Sequence, residues 1–217
     1  MFVPPGKPIP LDVDALIIPG TKSTISDLQF VRSQGWDIDI LALARQGRTI
    51  LGICGGLQML GKVLSDPTGQ EGNPGQSMGL GLLDIATTMK TRKTLRQTSG
   101  SHIATGSLCS GYEIHMGETT GPDSARPFAQ TGYGDDGATN PAGNISGTYL
   151  HGIFASDSFR GAWLNQLRPG HGSNMRYEQG VEAALDQLAH SLDECLDFDQ
   201  LLEDAGASEY RANQARM

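Results

Sequence analysis

Cysteine is scarce in this chain of 217 residues, and its scarcity excludes two kinds of architecture. Cys54, Cys109 and Cys195 are widely spaced and form no Cys-x-x-Cys pair, so neither a disulfide framework nor a thiolate zinc site is expected. A reducing cytoplasmic setting and a site without metal fit that usage. Positive charge is also thin: 16 Lys and Arg stand against 24 Asp and Glu, for a formal net charge of −8. A general nucleic-acid or anionic-membrane surface needs clustered cations, so neither partner is expected. No apolar run approaches the length that crosses a bilayer, and Met1-Phe2-Val3-Pro4-Pro5-Gly6-Lys7-Pro8 does not read as a signal peptide. No repeat period occurs, and no Gly-x-x-x-x-Gly-Lys-Ser/Thr phosphate loop either. Aromatic residues make up only 6%, whereas glycines number 29, which points to a glycine-rich α/β protein rather than a helical bundle.

The length suits one domain of moderate size, or a core with a small appendage. Ala15-Leu16-Ile17-Ile18 reads as a short buried strand stopped by Pro19-Gly20. A helix follows over Thr24–Gln34, with Ser23 or Thr24 near its cap, and a second over Trp36–Gln46; Gly35 and Gly47 close them. Thr49–Ile53 is β-branched and apolar, a second buried strand, and Leu57, Met59, Leu60, Val63 and Leu64 supply the apolar content of a helix after it. Strand, helix, strand, helix is the rhythm of a parallel sheet flanked by helices.

Ser65–Gln76 reads as a loop, and Leu80–Met89 and Gly106–His115 as strands, with Lys90, Arg92, Lys93 and Arg96 in the connection between them. Those cations are placed to guide an anionic substrate or an acidic partner, or simply to solvate a hairpin tip. Ile145–Phe154 contains a strand that ends in a histidine. From Glu178 to Glu209 there are ten acidic residues and no Lys or Arg, with Val181, Leu185, Leu188, Leu192 and Leu196 at helical spacing. That pattern predicts an acidic amphipathic helix, docked on the core or offered to a partner, then a short helix capped by Asp197 and ended by Gly206.

The join between the second strand and its helix carries the chemistry. Gly52-Ile53-Cys54-Gly55-Gly56-Leu57-Gln58 sets one cysteine on a glycine-lined turn, the layout of a nucleophile elbow. Gly52, Gly55 and Gly56 are expected to permit the turn and leave room for a substrate, and the helix N-terminus to lower the thiol pKa and hold an oxyanion. The bland alternative is a small core cysteine beside a packing turn. A cysteine nucleophile needs a base, and His151, at the end of a strand bracketed by Gly147 and Gly152, is the choice. His115 competes, with a structural role the stronger reading, while His102, His171 and His190 carry no comparable signal. The Gly20 and Gly55 N–H groups are candidates for an oxyanion hole. Gln58, one turn past Cys54, either reads a substrate amide or carboxylate or satisfies local backbone.

Together with Pro19-Gly20-Thr21-Lys22-Ser23-Thr24, Gly111-Tyr112-Glu113-Ile114-His115-Met116-Gly117 and Gly147-Thr148-Tyr149-Leu150-His151-Gly152, the elbow resembles the glutaminase domain of the cobyric acid synthases, from about Val3 to Leu202. That family is similar to the triad-type glutamine amidotransferases. The resemblance implies a flavodoxin-like α/β core with a mostly parallel sheet over about 1–168 and an acidic helical extension over about 169–217, all one domain. It implies that Cys54 attacks the side-chain amide of glutamine, that His151 relays protons, and that the ammonia goes to an ATP- and magnesium-dependent amidoligase domain that binds the corrinoid acceptor. The acceptor would be adenosylcobyrinic acid a,c-diamide, amidated at its b, d, e and g carboxylates. Cobyrinic acid a,c-diamide synthase and the glutaminase of lipid II amidation share the scheme. Measured against the family, the amidoligase half and a first strand and helix are missing, so a truncated docking fragment is the non-catalytic alternative. Ile153 stands where many triad enzymes carry a glutamate, which leaves a Cys–His dyad, with Glu113 a supporting candidate.

Overall fold

Ile50 and Leu51 are adjacent and both fully buried, and they pack into different apolar clusters. Successive strand residues point to opposite faces, so this strand must be covered on both sides, which explains its unbroken apolar run. In the computed structural model, which describes residues 1–206, Ile50 joins Leu28, Ile40, Leu43, Leu57 and Leu60 on one side. Leu51 joins Phe128, Leu150, Phe159 and Trp163 on the other. Each such side chain contributes roughly 1.5–3 kcal/mol when removed from water.

The strand is β2 (Thr49–Ile53), paired in parallel with β1 (Ala15–Ile18) from Ala15↔Thr49 to Ile18↔Gly52. Between them run α1 (Thr24–Ser33) and α2 (Trp36–Arg45), and Gly35, at φ 72°, makes the left-handed turn that separates the helices. After β2 come α3 (Gly55–Leu60), β3 (Val63–Asp66) and β4 (Gly75–Met78). A long hairpin follows, β5 (Ala86–His102) and β6 (Leu108–Thr120), then the short strands β7 (Ala129–Thr131), β8 (Gly134–Asp136) and β9 (Ala138–Thr139). β10 (Ile145–Thr148), β11 (Leu150–His151) and α4 (Asp157–Leu167) complete this unit, which spans 1–174.

Two sheets result. The first has the order β1-β2-β10-β9, with β10 parallel to β2 and β9 antiparallel at the edge; the second runs β11-β6-β5-β3-β4, with β7 and β8 added to β5. The parallel sheet flanked by helices is therefore present as β1, β2 and β10, and the larger second sheet is mixed, since only β3 and β5 pair in parallel within it. The chain passes from the first sheet to the second across Tyr149 alone, between β10 and β11.

Three expectations from the sequence are corrected. Val63 and Leu64 do not extend the elbow helix, which stops at Leu60; they open β3. The stretch 65–76 is a loop only in its middle, because its ends belong to β3 and β4. Lys90, Arg92, Lys93 and Arg96 do not mark a hairpin tip: all four lie within β5, and the turn to β6 falls at residues 103–107. Polar side chains obscured that strand because much of it is solvent-exposed, and only alternate residues such as Thr87 and Met89 are buried.

The second unit begins at Met175. It contains α5 (Tyr177–Cys195), with Val181, Leu185, Leu188 and Leu192 on the expected spacing, and α6 (Phe198–Asp204). Asp197 caps α6 by accepting the Gln200 N–H at 3.0 Å, and Gly206 takes φ 65° after it. Glu209 and the remainder of the expected extension to 217 lie outside the described residues.

Candidate active site

Cys54 is the N-cap of α3 and, among the described residues, the only non-glycine with positive φ, at φ 52° and ψ −108°. Such a conformation costs on the order of 1–3 kcal/mol and persists only where surroundings impose it. Here the Cys54 N–H donates to the Thr148 carbonyl at 2.8 Å, and Sγ lies 3.6 Å from the Ile114 carbonyl. β10 thus holds one side of the elbow and β6 the other. Burial raises the thiol pKa to about 11, the Gly55 N–H works against that rise, and the Glu71 carboxylate adds to it. The expectation of a lowered thiol pKa is therefore corrected: α3 has only six residues, and desolvation outweighs its N-terminal N–H groups.

The glycines around the elbow are also explained differently from the sequence reading. A Cβ at Gly52 would lie 2.5 Å from the Gly56 carbonyl carbon, one at Gly56 2.1 Å from the Ile18 carbonyl oxygen, and one at Gly55 2.5 Å from Thr21 Cγ2. The space is filled by the protein itself, so these three glycines let β1, β2 and α3 pack closely rather than admit a substrate. Gly20 is different. A Cβ there would meet His151 Cε1 at 2.9 Å, Cys54 Cβ at 3.4 Å and His151 Nδ1 at 3.6 Å.

The fold therefore brings Cys54, His151 and Gly20 together. Cys54 follows β2 and His151 ends β11, three residues past the end of β10, so both emerge where adjacent parallel strands finish. The His151 ring stacks on Tyr112, its pairing partner on β6, with centroids 5.1 Å apart. Its Nε2 is buried with no hydrogen-bond partner among the described residues. Desolvation, then the nearby His115, holds its pKa below the ordinary histidine value, which favours the neutral ring a proton acceptor requires.

Glu113, the supporting candidate, is not bonded to His151. It is buried and accepts from Arg96 at 2.9 and 3.1 Å, with His115 Nε2 at 3.4 Å from the same carboxylate. The Arg96 guanidinium in turn sits 4.0 Å over the Tyr133 ring. His115 Nδ1 lies 2.9 Å from the Gly117 carbonyl, and the ring stacks on Tyr149 at 3.9 Å. Gln58 does not serve local backbone either: its buried amide accepts from Thr24 Oγ1 at 2.9 Å and donates to the Tyr149 hydroxyl at 3.2 Å.

A cavity of about 460 Å³ opens over these groups, lined by Gly20, Cys54, Gln58, His115 and His151 together with Glu71 and Lys93. Thr24, Tyr149 and Glu71 were not singled out from the sequence. Thr24 and Tyr149 lay within the motifs that carry the resemblance but had no role of their own there, and Glu71 sat in a Gly- and Pro-rich loop that carries no periodic signal. Among the described residues, no group of three or more His, Cys, Asp and Glu side chains could hold a metal ion.

The chain belongs to the family of CobB/CobQ-like glutamine amidotransferase domains, whose model matches residues 1–159. Its curated relatives include the cobyric acid synthase of Hyphomonas neptunium (strain ATCC 15444), 54% identical over 210 residues, covering 97% of this chain and 42% of that protein. The cobyric acid synthase of Paracoccus denitrificans (strain Pd 1222) is 53% identical over 200 residues, covering 92% of this chain and 41% of that protein. The chain thus spans about two-fifths of the length of the relatives it matches. A solved glutamine amidotransferase structure aligns at 18% identity and a TM-score of 0.49, covering 71% of this chain and 79% of that one, too distant to bear on any particular residue.

Proposed function

We propose that the chain is the glutamine-hydrolysing part of a cobyric acid synthase. The observation that carries this reading is the placement of Cys54 Cβ and the His151 ring against one point beside Gly20. Cys54 Sγ attacks the side-chain amide carbon of glutamine while the thiol proton passes to His151 and on to the leaving nitrogen, which departs as ammonia. The resulting thioester is hydrolysed by water, with His151 taking the water proton, to release glutamate and the thiol. The Gly20 and Gly55 N–H groups are the donors proposed for the oxyanion. Glu113 and His115 support the wall of the cavity without touching His151 Nε2, so the pair acts as a dyad.

The ammonia would go to an ATP- and magnesium-dependent amidoligase moiety and be used on the b, d, e and g carboxylates of adenosylcobyrinic acid a,c-diamide, in the cytoplasm. The cobyric acid synthases that match over most of this chain support that acceptor over those of related glutaminases. None of the helices among the described residues is long and apolar enough to cross a membrane.

The test is glutamate release by the purified chain, wild type beside Cys54→Ala, with and without a separately supplied amidoligase moiety. Activity confined to the wild type and stimulated by the ligase is expected. Turnover that survives Cys54→Ala, or silence of folded wild-type protein with the ligase present, overturns the reading.

A further inference from the structure

A thiol and a histidine are indifferent to which primary amide they receive, so choosing free glutamine over a protein-bound side chain must fall to groups elsewhere in the cavity. Free glutamine differs by its charged head, an ammonium and a carboxylate on one carbon. The Cys54 cavity is lined by charge of both signs.

Glu71 is the anion. Its carboxylate accepts from the Thr24 N–H at 2.5 Å and the Thr24 hydroxyl at 3.2 Å, with the Ile25 N–H also turned to it, and acceptor capacity still remains for a further donor. Its position is fixed from behind, because the buried Asp66 carboxylate accepts the N–H groups of Gln70 and Glu71, each at 2.8 Å. Among the described residues no cation forms an ion pair with it, although it is half-buried and burial pushes its pKa up. A partly desolvated carboxylate without a counter-ion is suited to an incoming ammonium.

Lys93 is the cation. The β5–β6 register passes from Met89↔Gly117 to Thr94↔His115, so residues 90–93 are set out opposite Met116. Bulges of this kind re-aim side chains beside functional sites. Lys90 pairs with Glu118 at 3.2 Å, whereas Lys93 forms no ion pair among the described residues and lines the cavity.

We propose that Glu71 and Lys93 are the specificity-determining residues of this site, Glu71 reading the α-ammonium and Lys93 the α-carboxylate of glutamine. The proposal rests on the glutaminase reading and adds the means of substrate selection.

The test uses the full chain with its ligase moiety supplied and three amides: L-glutamine, 4-carbamoylbutanoate, which lacks the ammonium, and 4-aminobutanamide, which lacks the carboxylate. Ammonia release gives kcat/KM for each. Wild type is expected to prefer glutamine over either analogue by about 100-fold or more, since a site built for a polar group strongly rejects the analogue without it. Glu71→Gln is expected to erase at least tenfold of the preference over 4-carbamoylbutanoate and keep that over 4-aminobutanamide. Lys93→Met is expected to do the reverse, with Lys93→Arg close to wild type. Unchanged preferences, equal loss on all three amides, or transfer of the carboxylate effect to Lys22→Met, the other lysine on the cavity, overturns the proposal while leaving the glutaminase reading intact. A wild type that releases no ammonia from glutamine overturns both.

Discussion

Gly20 has no side chain where His151 needs space: a Cβ at Gly20 would lie 2.9 Å from His151 Cε1. Gly20 is not among the residues with positive φ, so its backbone accepts alanine and the conflict falls on the histidine. Gly20→Ala is therefore expected to fold, with its melting temperature within a few degrees of wild type, and, on the proposed role of His151 as base, to lose roughly 100-fold in glutaminase kcat/KM through displacement of that ring. Gly56→Ala should behave oppositely, because its Cβ would lie 2.1 Å from the Ile18 carbonyl oxygen, which is backbone and cannot swing away. A loss of stability of about 3 kcal/mol or more is expected there. Thermal melts beside activity assays separate the two outcomes.

In the absence of substrate, Cys54 is expected to be a slow thiol at neutral pH. Burial and the Glu71 carboxylate hold its pKa at about 11, so its alkylation by iodoacetamide should keep rising through the alkaline range toward that value. Cys195 is exposed and would react first, so the measurement uses Cys195→Ser, with the labelled peptide identified by mass. A rate that levels off near pH 7 contradicts the prediction.

His102 makes stability fall with acidity. It is packed between Phe128 and Phe159, at centroid distances of 4.5 and 5.2 Å, and burial lowers its pKa from 6.5 to about 4. Between those values the unfolded chain binds a proton that the folded chain refuses, so stability declines as the pH drops from about 6.5 to about 4 and this contribution changes no further below that. Asp136, whose pKa burial raises from 3.8 to about 6, works in the opposite direction over part of this range, so the measurement is the difference in urea-unfolding stability between wild type and His102→Leu, which should shift against wild type as the pH falls from about 6.5 to about 4.

Tyr149 ties the cavity wall together. Its hydroxyl lies 2.6 Å from Thr119 Oγ1 and accepts from Gln58 Nε2 at 3.2 Å, while its ring supports His115. Tyr149→Phe keeps the ring and strands a buried amide donor, at a cost of about 1–3 kcal/mol. Denaturant unfolding checks this directly, and a midpoint unchanged from wild type contradicts it.

Much of the scaffold was legible in the order of residues. The runs 15–18 and 49–53, with helices between them bounded by Gly35 and Gly47, are elements whose own composition is strong enough to predict their state. The elbow at Cys54 and the strand-end position of His151 were equally visible, because each is announced by neighbours close in sequence. The long β5 strand was hidden for the converse reason: one side of it faces water, so polar side chains such as Lys90 and Arg92 broke the apolar pattern without breaking the strand.

By itself, then, the sequence determined where the elbow cysteine and the strand-end histidine fall and roughly where the chain turns, since both depend on local residue type. Only the tertiary structure decided what surrounds them. That Gly52, Gly55 and Gly56 serve packing, that Cys54 is held protonated by burial, and that Glu113 bonds Arg96 and His115 rather than His151 depend on residues far apart in the chain. Clashes, desolvation and hydrogen-bond partners are properties of neighbours in space, and the residues supplying them to Cys54 come from β6, β10 and the loop at Glu71.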